Sequence, residues 1–477
     1  MSRFAQLVLV AALLGGAWWL GARSAQAQLV VLGLGGFSLL LAAISTSIGA
    51  RNFDRLSSHA TLVVVFMVVF LAMQAVRIAN PAFVVHMDGF YWHLAPLPHV
   101  ATLPAGFDAP FDGIAEGNLP FTNPLRYLIV FGAAFCITVS AYLLAKSDGL
   151  RRGLLWAFVL QATAFSVTSI AHKLSGSNQI LWLYNDAEFW MGSPVFPYKN
   201  AAAAYQVLLV AFSMAGFCFV RERTGGKSVA LSLSAVNIVL ALVALLLLNC
   251  RAGVIMAFVL VLLFIFQEGF ATKHPRENSP QRWPRILGIV ILLACGGWLL
   301  ARGGFAGTLR RFDSDLWKPI ALLRGGEPRI LKQKIAVEMA KDRPWFGWGG
   351  GAYLPLFLTY HPRVPEYLSR LIAEQPTLNR IHEESADGDW WEFLVEYGII
   401  GEALLLVSII VSVALWARAG GPRCCSSTYL IAAALLVTLH GTIDRILREE
   451  IVIATLGVTI ALAIREARAQ ARKARVN

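Results

Sequence analysis

The chain has 477 residues, of which 57% are hydrophobic and only 15% are charged. Its mean hydropathy of +0.61 excludes an ordinary water-soluble enzyme, a disordered chain and a disulfide scaffold, because no soluble core buries so many apolar runs of membrane-spanning length. The net charge of +12 does not indicate nucleic-acid binding, since the basic residues lie between the apolar runs. The sequence therefore predicts an all-α integral membrane protein.

Apolar stretches predict about 12 transmembrane helices, because each is roughly 18 to 23 residues long and can cross a hydrocarbon core of about 30 Å. The predicted stretches are 4-22, 28-49, 59-79, 125-145, 152-172, 201-220, 228-249, 251-267, 285-302, 394-416, 428-444 and 450-465. An even number of spans places both termini on the same side of the membrane.

Loop charge predicts which side that is, because Lys and Arg are retained in the cytoplasm. Alternate loops carry basic residues, among them Arg51, Arg221 and Arg282, whereas the opposite loop at 80-124 has no Lys or Arg. We therefore predict cytoplasmic termini, an N-in, C-in topology. A cleaved signal peptide ending near the AQA at 25-27 is the alternative for the first segment, and it leaves the orientation of the other helices unchanged.

Three external segments are long enough to form structure of their own. Seven prolines within 80-124 predict an irregular cap on the outer face, and the aromatic residues of 173-200 suit the membrane–water interface. The loop 303-393, between predicted helices 9 and 10, has 12 basic residues and, up to Asp389, 11 acidic ones, so we expect a folded, partly helical periplasmic element. The predicted organisation is residues 1-302 with helices 1-9, the large loop 303-393, and residues 394-477 with helices 10-12 and a basic cytoplasmic tail.

Basic residues at two predicted external helix ends break the rule that external loops are poor in positive charge. Arg251 lies in a tight turn between apolar runs, so it either snorkels to a lipid phosphate or grips a substrate phosphate with its planar guanidinium. Lys199 and Asn200 open the sixth predicted helix, whose N-terminus adds free N–H groups and a positive dipole end. They predict an anion site, with an interfacial lysine anchor as the alternative.

The large loop contains an amphipathic helix that begins near Arg329 and ends before Pro344. A glycine-rich turn follows at 347-351. The turn has neither the spacing of a dinucleotide-binding loop nor a Walker lysine, so we predict a backbone bend that brings the helix down onto the membrane.

Titratable residues cluster directly before the tenth predicted helix, including His382, Asp387 and Asp389. Such a group beside a hydroxyl nucleophile can act as a general base. A divalent metal site at these three residues is a competing hypothesis, and a solvated charge run that caps the helix is the simplest alternative. Farther along, His440 and Asp444 lie one turn apart, either as a polar pair that links helices or at the rim of a cavity.

These motifs, in this order, resemble the O-antigen ligase and polymerase family of bacterial envelope glycosyltransferases. The resemblance covers roughly residues 120 to 460. Its motifs are YKNAAAAY at a helix start, CRAGV after a hydrophobic span, the R-I-L helix running into MAKDRPWFGWGGGAY, ADGDWWEFLVEYGIIG, and HGTID.

The resemblance implies a metal-independent, inverting glycosyltransferase of the bacterial inner membrane that needs no cofactor. Such an enzyme takes a glycan from undecaprenyl pyrophosphate at the periplasmic face. A ligase joins it to a hydroxyl of a lipid A core or other acceptor in lipopolysaccharide biosynthesis, and a polymerase extends a growing polysaccharide. The expected partners are these glycan substrates and membrane lipids, without nucleic acid.

By motif, Arg251 and Arg329 would hold the pyrophosphate, with Lys199 as a third positive group. The family pattern has His followed by Asn where this chain has Asp387 and Gly388, and the nearest histidine is His382. His382 and Asp387 therefore remain alternative bases. The expected supporting residues are Asn200, Asp389, His440 and Asp444.

A transporter or a flippase of lipid-linked glycans is the hypothesis from a different class. It would have a similar number of spans, together with two similar halves and ionisable residues near the midplane. The sequence has no convincing internal repeat, and its charges lie at the external boundary, so this alternative ranks below the enzyme.

Overall fold

The computed structural model describes residues 1–49, 58–88, 91–108, 122–177, 179–183, 193–224, 229–248, 250–270, 328–367 and 385–476. Its apolar helices are α1 (Ser2–Trp18), α2 (Ala25–Gly49), α3 (Ser58–Ala79), α4 (Pro124–Leu144), α5 (Asp148–Ser175), α6 (Lys199–Thr224), α7 (Val229–Leu247) and α8 (Arg251–Phe270). They are followed by α9 (Pro328–Asp342), α10 (Tyr353–Tyr360), α11 (Asp389–Arg418), α12 (Cys425–His440) and α13 (Glu450–Val476).

Seven of the described helices, α2 to α7 and α11, are long and apolar enough to cross a membrane, and α1, α8 and α12 are shorter apolar helices. The chain is thus a mostly helical, multi-pass membrane protein. The predicted stretch 285-302 lies outside the described residues, so the count of twelve and the N-in, C-in topology stay predictions.

Helix α6 forms the centre of the bundle. Of its most apolar 18-residue stretch, 94% of the residues are buried, whereas the corresponding share is 22% in α2 and in α3. Small side chains at its start, Ala201 to Ala204, are fully buried and let neighbouring helices approach closely. A Cβ built at Gly253 of α8 would lie only 3.1 Å from the Cβ of Ala203. The first turns of α6 and α8 are therefore in contact.

A three-stranded sheet lies at the end of α3, with strands β1 (Pro81–Asp88), β2 (Tyr91–Pro96) and β3 (Gly106–Asp108) in the order β2-β1-β3. β1 pairs with β2 antiparallel and with β3 parallel. The prediction of an irregular cap is therefore wrong for these residues. Pro81 begins β1 and Pro96 ends β2, positions at which proline is compatible with a strand, while aromatic and β-branched residues between them favour extended backbone.

The sheet and the described part of the large loop form one layer on the bundle, here called the loop layer (residues 81–88, 91–108 and 328–367). Phe83 of β1 stacks on Phe107 of β3 with ring centroids 5.9 Å apart and meets the edge of Trp348 at 5.4 Å. Apolar side chains of α9 and α10 complete this second core, including Leu331, Ile335, Met339, Tyr353 and Phe357. Burial of these side chains holds α9 in a fixed position above the helix ends.

The glycine-rich turn after α9 makes the predicted backbone bend. Gly347, Gly349 and Gly351 all have positive φ, at 69°, 103° and 80°. Such left-handed conformations are open to glycine at little steric cost, so the sequence pattern and the observed geometry agree.

This turn is clamped onto α11 where that helix is interrupted. Gly398 has φ 64° and ψ −176°, which breaks the helical hydrogen-bond pattern. The N–H of Trp348 donates to the carbonyl oxygen of Val395 (2.9 Å), and the N–H of Ile399 donates to that of Pro344 (2.8 Å). The free backbone groups at the break are thus satisfied by the loop layer, which fixes the orientation of residues 389–397.

We expect Gly398→Ala to destabilise the protein strongly. An added Cβ would lie 2.6 Å from backbone atoms of Trp345 and Gly347, and the φ/ψ pair is one that only glycine adopts readily. Strain alone costs about 1–3 kcal/mol. The matched control is Gly36→Ala in α2, where no atom lies within 4 Å of the added Cβ. Thermal unfolding in detergent should show a lower midpoint for Gly398→Ala only; equal midpoints would contradict the clamp.

Candidate functional site

The start of α6 and the turn after α12 meet through one buried carboxylate, that of Asp444. Tyr198 Oη and Asn200 Nδ2 both donate hydrogen bonds to it, and the Arg445 N–H donates to Oδ1 at 2.9 Å. Burial alone would raise the pKa of Asp444, but the nearby His440 and the hydrogen bond from Tyr198 outweigh it and hold this pKa below its usual value. Asp444 is therefore a carboxylate that these hydrogen bonds hold in place.

His440 ends α12 one turn before Asp444, and its Nε2 lies 3.7 Å from Asp444 Oδ2. Both side chains are buried, with 3% and 6% of their surface exposed. This placement agrees with the polar pair that links helices and not with the rim of an open cavity. Helix α12 also ends four residues before the predicted boundary at 444, so Asp444 belongs to the turn and not to the span.

A second charged group joins the loop layer to the start of α11. Lys332 Nζ of α9 donates to Asp387 Oδ2 at 3.0 Å, and Arg329 Nε lies 3.9 Å from the same oxygen. Arg329 Nη1 also donates to the carbonyl oxygen of Ile443 at 3.4 Å. The Arg329 side chain is still 48% exposed, so it can accept a further partner.

Asp387 and Gly388 have backbone conformations that this junction requires. Asp387 has φ 53°, a left-handed conformation that aspartate tolerates better than most side chains. A Cβ at Gly388 would lie 2.6 Å from the carbonyl oxygen of Thr442. Glycine thus allows the segment before α11 to approach the turn after α12 at Thr442, which brings Asp387 close to this turn.

The group around Asp444 and the group around Asp387 are close enough for their charges to act on the same side chain. Burial first, and then the negative charges of Asp444 and Asp387, raise the pKa of the Tyr198 hydroxyl above its usual value. The N–H of Asp389 donates to the carbonyl oxygen of Asp444 at 3.2 Å. Residues separated by more than 240 positions in the sequence therefore form one continuous polar site.

The predicted phosphate-binding residues on the bundle border this site. Lys199 is half-buried at the first position of α6, and Arg251 is exposed at the first position of α8. Burial raises the pKa of the Cys250 thiol to about 11, and the charges of Asp444 and Lys199 also act on this thiol. The adjacent residue, Arg251, thus lies on the same side of the bundle as Lys199.

Sequence reasoning did not identify Arg448, the most heavily paired residue of the site. Its Nη2 lies 2.8 Å from Glu392 Oε2 and 2.9 Å from Glu396 Oε2, while Nη1 lies 3.0 Å from Glu396 Oε1. Nη1 also donates to Tyr127 Oη at 2.9 Å. We call Arg448, Glu392 and Glu396 the arginine clamp. The spacing of Asp389, Glu392 and Glu396 on one helical face was the available signal.

Asp389 secures the same turn from the other side. Its Oδ2 accepts hydrogen bonds from the N–H groups of Ile446 and Leu447, at 2.7 and 2.6 Å, and none of its surface is exposed. Its Oδ1 lies 3.7 Å from Arg448 Nε. Asp389 therefore fixes the backbone of the turn that follows Asp444.

His382, the alternative base, lies outside the described residues. Within the described ranges, no group of three or more His, Cys, Asp or Glu side chains is arranged to hold a metal ion. Asp387 faces Lys332, whereas Asp389 faces the backbone of residues 446–447, so these two carboxylates do not converge. The expectation of no cofactor stays a prediction.

An apolar groove of about 160 Å³ runs between α3, α4, α11 and α13, below the arginine clamp. Its walls are almost wholly apolar and include Val63, Phe131, Phe393, Leu405 and Ile460. Trp390 and Leu447 line it as well, so it reaches the turn that holds Asp444. Its chemistry suits a hydrocarbon chain.

Residues 236–406 match a family model described as O-antigen ligase. The matched segment includes Arg251, Arg329, Asp387 and Asp389, together with two residues of the arginine clamp. Lys199 precedes the segment, and Asp444 follows it. No curated protein matches the chain.

Proposed function

We propose that this protein transfers a glycan from undecaprenyl pyrophosphate to an acceptor hydroxyl at the periplasmic face of the inner membrane, because residues 236–406 match the family model described as O-antigen ligase. One observation supports this most: Asp387 lies against Arg329 and Lys332, and its charge acts on the Tyr198 hydroxyl just before the start of α6. A carboxylate next to cationic groups at a membrane boundary suits a reaction that removes a proton and releases a phosphate ester.

Arg329, Arg251 and Lys199 hold the pyrophosphate in this proposal. As the bond from the anomeric carbon to the pyrophosphate oxygen breaks, negative charge develops on the departing group. Fixed guanidinium groups bind that charge through paired N–H donors, and the N-termini of α6 and α8 add backbone donors. The half-exposed side chain of Arg329 is available for such a contact.

Asp387 acts as the general base, with His382 as the alternative. The acceptor hydroxyl attacks the anomeric carbon from the side opposite the pyrophosphate and gives its proton to the carboxylate, so the anomeric configuration inverts. Lys332 and Ser385 hold one carboxylate oxygen each, at 3.0 and 3.3 Å, which fixes the orientation of Asp387. Proximity and orientation then supply much of the rate enhancement.

Asp444, Asn200 and His440 position the site and do not react in this mechanism. The buried Asp444 carboxylate links the start of α6, which bears Lys199, to the turn contacted by Arg329. The apolar groove beside Trp390 and Leu447 accommodates the polyprenyl tail of the donor. Membrane lipids surround the outer faces of the bundle.

Ligase and polymerase use the same donor chemistry and differ in the acceptor. Deleting the gene in its host and separating lipid-linked and surface glycans by size tests the proposal. Long polymer retained on undecaprenyl pyrophosphate, together with bare acceptor, indicates a ligase of lipopolysaccharide or surface polysaccharide. Acceptor with single repeats, or loss of one polymer, indicates a polymerase. Unchanged pools would refute the proposed function.

We expect Arg329→Ala and Arg251→Ala each to lower transfer by about 10²–10³-fold, the usual loss when one donor to a developing oxyanion is removed. Both arginines are exposed or half-exposed, so the protein should still fold and insert. The measurement is glycan transfer by purified protein in nanodiscs. Lys341→Ala, an exposed residue at the other end of α9, is the matched control. Normal transfer by either arginine variant would remove that residue from the mechanism.

A further inference from the structure

The loop layer contains an open cleft of about 420 Å³ that the proposed mechanism does not use. This volume falls in the range of small-molecule sites, roughly 300–1,000 Å³. Its walls come from α9, from the segment that follows α10, and from the first turn of α11. We call it the α9 cleft; the residues that matter here are Gln333, Lys334, Glu338, Arg363, Glu366 and Trp391.

The polar groups of the α9 cleft alternate in charge. Lys334 and Arg363 supply donors, Glu338 and Glu366 supply acceptors, and Gln333 supplies both. An anion site would be lined mostly by positive groups. Interspersed donors and acceptors instead match a neutral ligand with many hydroxyl groups, each of which both donates and accepts.

Three of these side chains have unused hydrogen-bonding capacity. Gln333, Lys334 and Glu366 make no side-chain hydrogen bond or ion pair with any other residue in the part of the chain that the structure describes. Arg363 is oriented by Asp342, whose Oδ2 lies 3.0 Å from Arg363 Nη1. The cleft therefore offers free polar groups next to a fixed one.

Trp391 adds an aromatic wall. It packs against the second core and also lines the cleft, so the position of its ring is constrained. An indole face is electron-rich and attracts groups of positive partial charge, including the C–H groups on one face of a sugar ring. Tryptophan beside hydroxyl-binding polar groups is thus suited to a saccharide.

The α9 cleft lies along the same helix that carries the two cationic groups next to Asp387. Helix α9 directs Arg329 and Lys332 to Asp387, while Gln333 and Lys334 on the neighbouring face line the cleft. Trp391 follows Asp387 by four residues at the start of α11. A glycan with one ring at Asp387 would extend its next rings into the cleft.

We propose that the α9 cleft binds the sugar rings adjacent to the reacting ring, on either the donor or the acceptor glycan. This inference rests on the proposed transferase function and adds its saccharide subsite. Binding there holds the ground state and the transition state equally, so its loss raises KM and leaves kcat nearly unchanged.

The test measures initial transfer rates of purified full-length protein in nanodiscs, varying donor and acceptor separately. Lys334→Ala combined with Glu366→Ala removes two cleft groups that have no partner in the described chain, so folding should be preserved. Lys173→Ala, an exposed residue at the end of α5, is the control. We expect about a tenfold rise in KM for one glycan substrate only, which identifies it as donor or acceptor. Unchanged KM for both would overturn the inference.

A binding measurement separates this inference from the proposed function. The probe is the free single-repeat oligosaccharide released from the host polysaccharide, and its binding is measured by isothermal titration calorimetry. Trp391→Phe and the double variant should both weaken binding. If the wild type shows no transfer but binds the probe through these residues, the proposed function fails and the cleft assignment stands. Transfer by the wild type, with equal probe binding by all variants, refutes the cleft alone.

Discussion

Asp387→Asn should lower kcat for glycan transfer by about 10²–10⁴-fold, the usual contribution of a general base. Asparagine keeps the shape of the side chain and can still meet Lys332, but it cannot accept the proton of the acceptor hydroxyl. KM for the donor should change little, because Arg329 and Arg251 remain. Initial rates of the purified protein at saturating donor and acceptor measure this effect.

Two comparisons make the result specific to the base. Asp108→Asn is the same chemical change at an exposed position of β3 and should retain wild-type rates. His382→Ala should retain most activity if Asp387 is the base. Should Asp387→Asn stay active while His382→Ala loses transfer, the base assignment passes to His382 and the rest of the proposed mechanism stands.

Arg448→Ala should lower the free energy of unfolding by about 3–5 kcal/mol, because removing one partner of a buried ion pair leaves uncompensated charge. Glu392 and Glu396 would then face each other with only 1% and 0% of their surface exposed. The Tyr127 hydroxyl would also lose the hydrogen bond from Arg448 Nη1. Unfolding by dodecyl sulfate in mixed micelles, followed by circular dichroism, measures this loss.

The control for the arginine clamp is Lys341→Ala, which breaks an exposed ion pair with Glu338 and should cost less than about 1 kcal/mol. Arg448→Met combined with Glu392→Gln and Glu396→Gln should recover part of the lost stability, since no uncompensated charge remains. If Arg448→Ala unfolds like the wild type, Arg448 does not hold the turn before α13.

The sequence determined the class of the protein, because the thickness of the bilayer sets the length that an apolar run needs in order to cross it. Described helices coincide with each predicted apolar stretch within the described ranges, although α12 ends at His440 and α13 continues to Val476. The glycine-rich pattern likewise predicted the bend at residues 347–351, because such a bend depends only on the local backbone conformation.

Local patterns also identified residues that the fold later brings together. Lys199, Arg329, Asp387 and Asp444 are far apart in the chain, yet each stood out as a polar group at the end of an apolar or amphipathic segment. Helix ends on one side of a bundle are neighbours in space, so residues chosen for that reason alone were good candidates for one site.

The contacts between those residues were decided by tertiary structure alone. Nothing in the sequence distinguishes Arg448 from the other basic residues. Its ion pairs with Glu392 and Glu396 form only when the turn before α13 packs against α11. The sheet was missed because its pairing joins segments across a proline-rich region. Hydropathy and turn chemistry are local properties that a sequence states directly, whereas ion pairs, strand pairing and the α9 cleft depend on which distant segments share a surface.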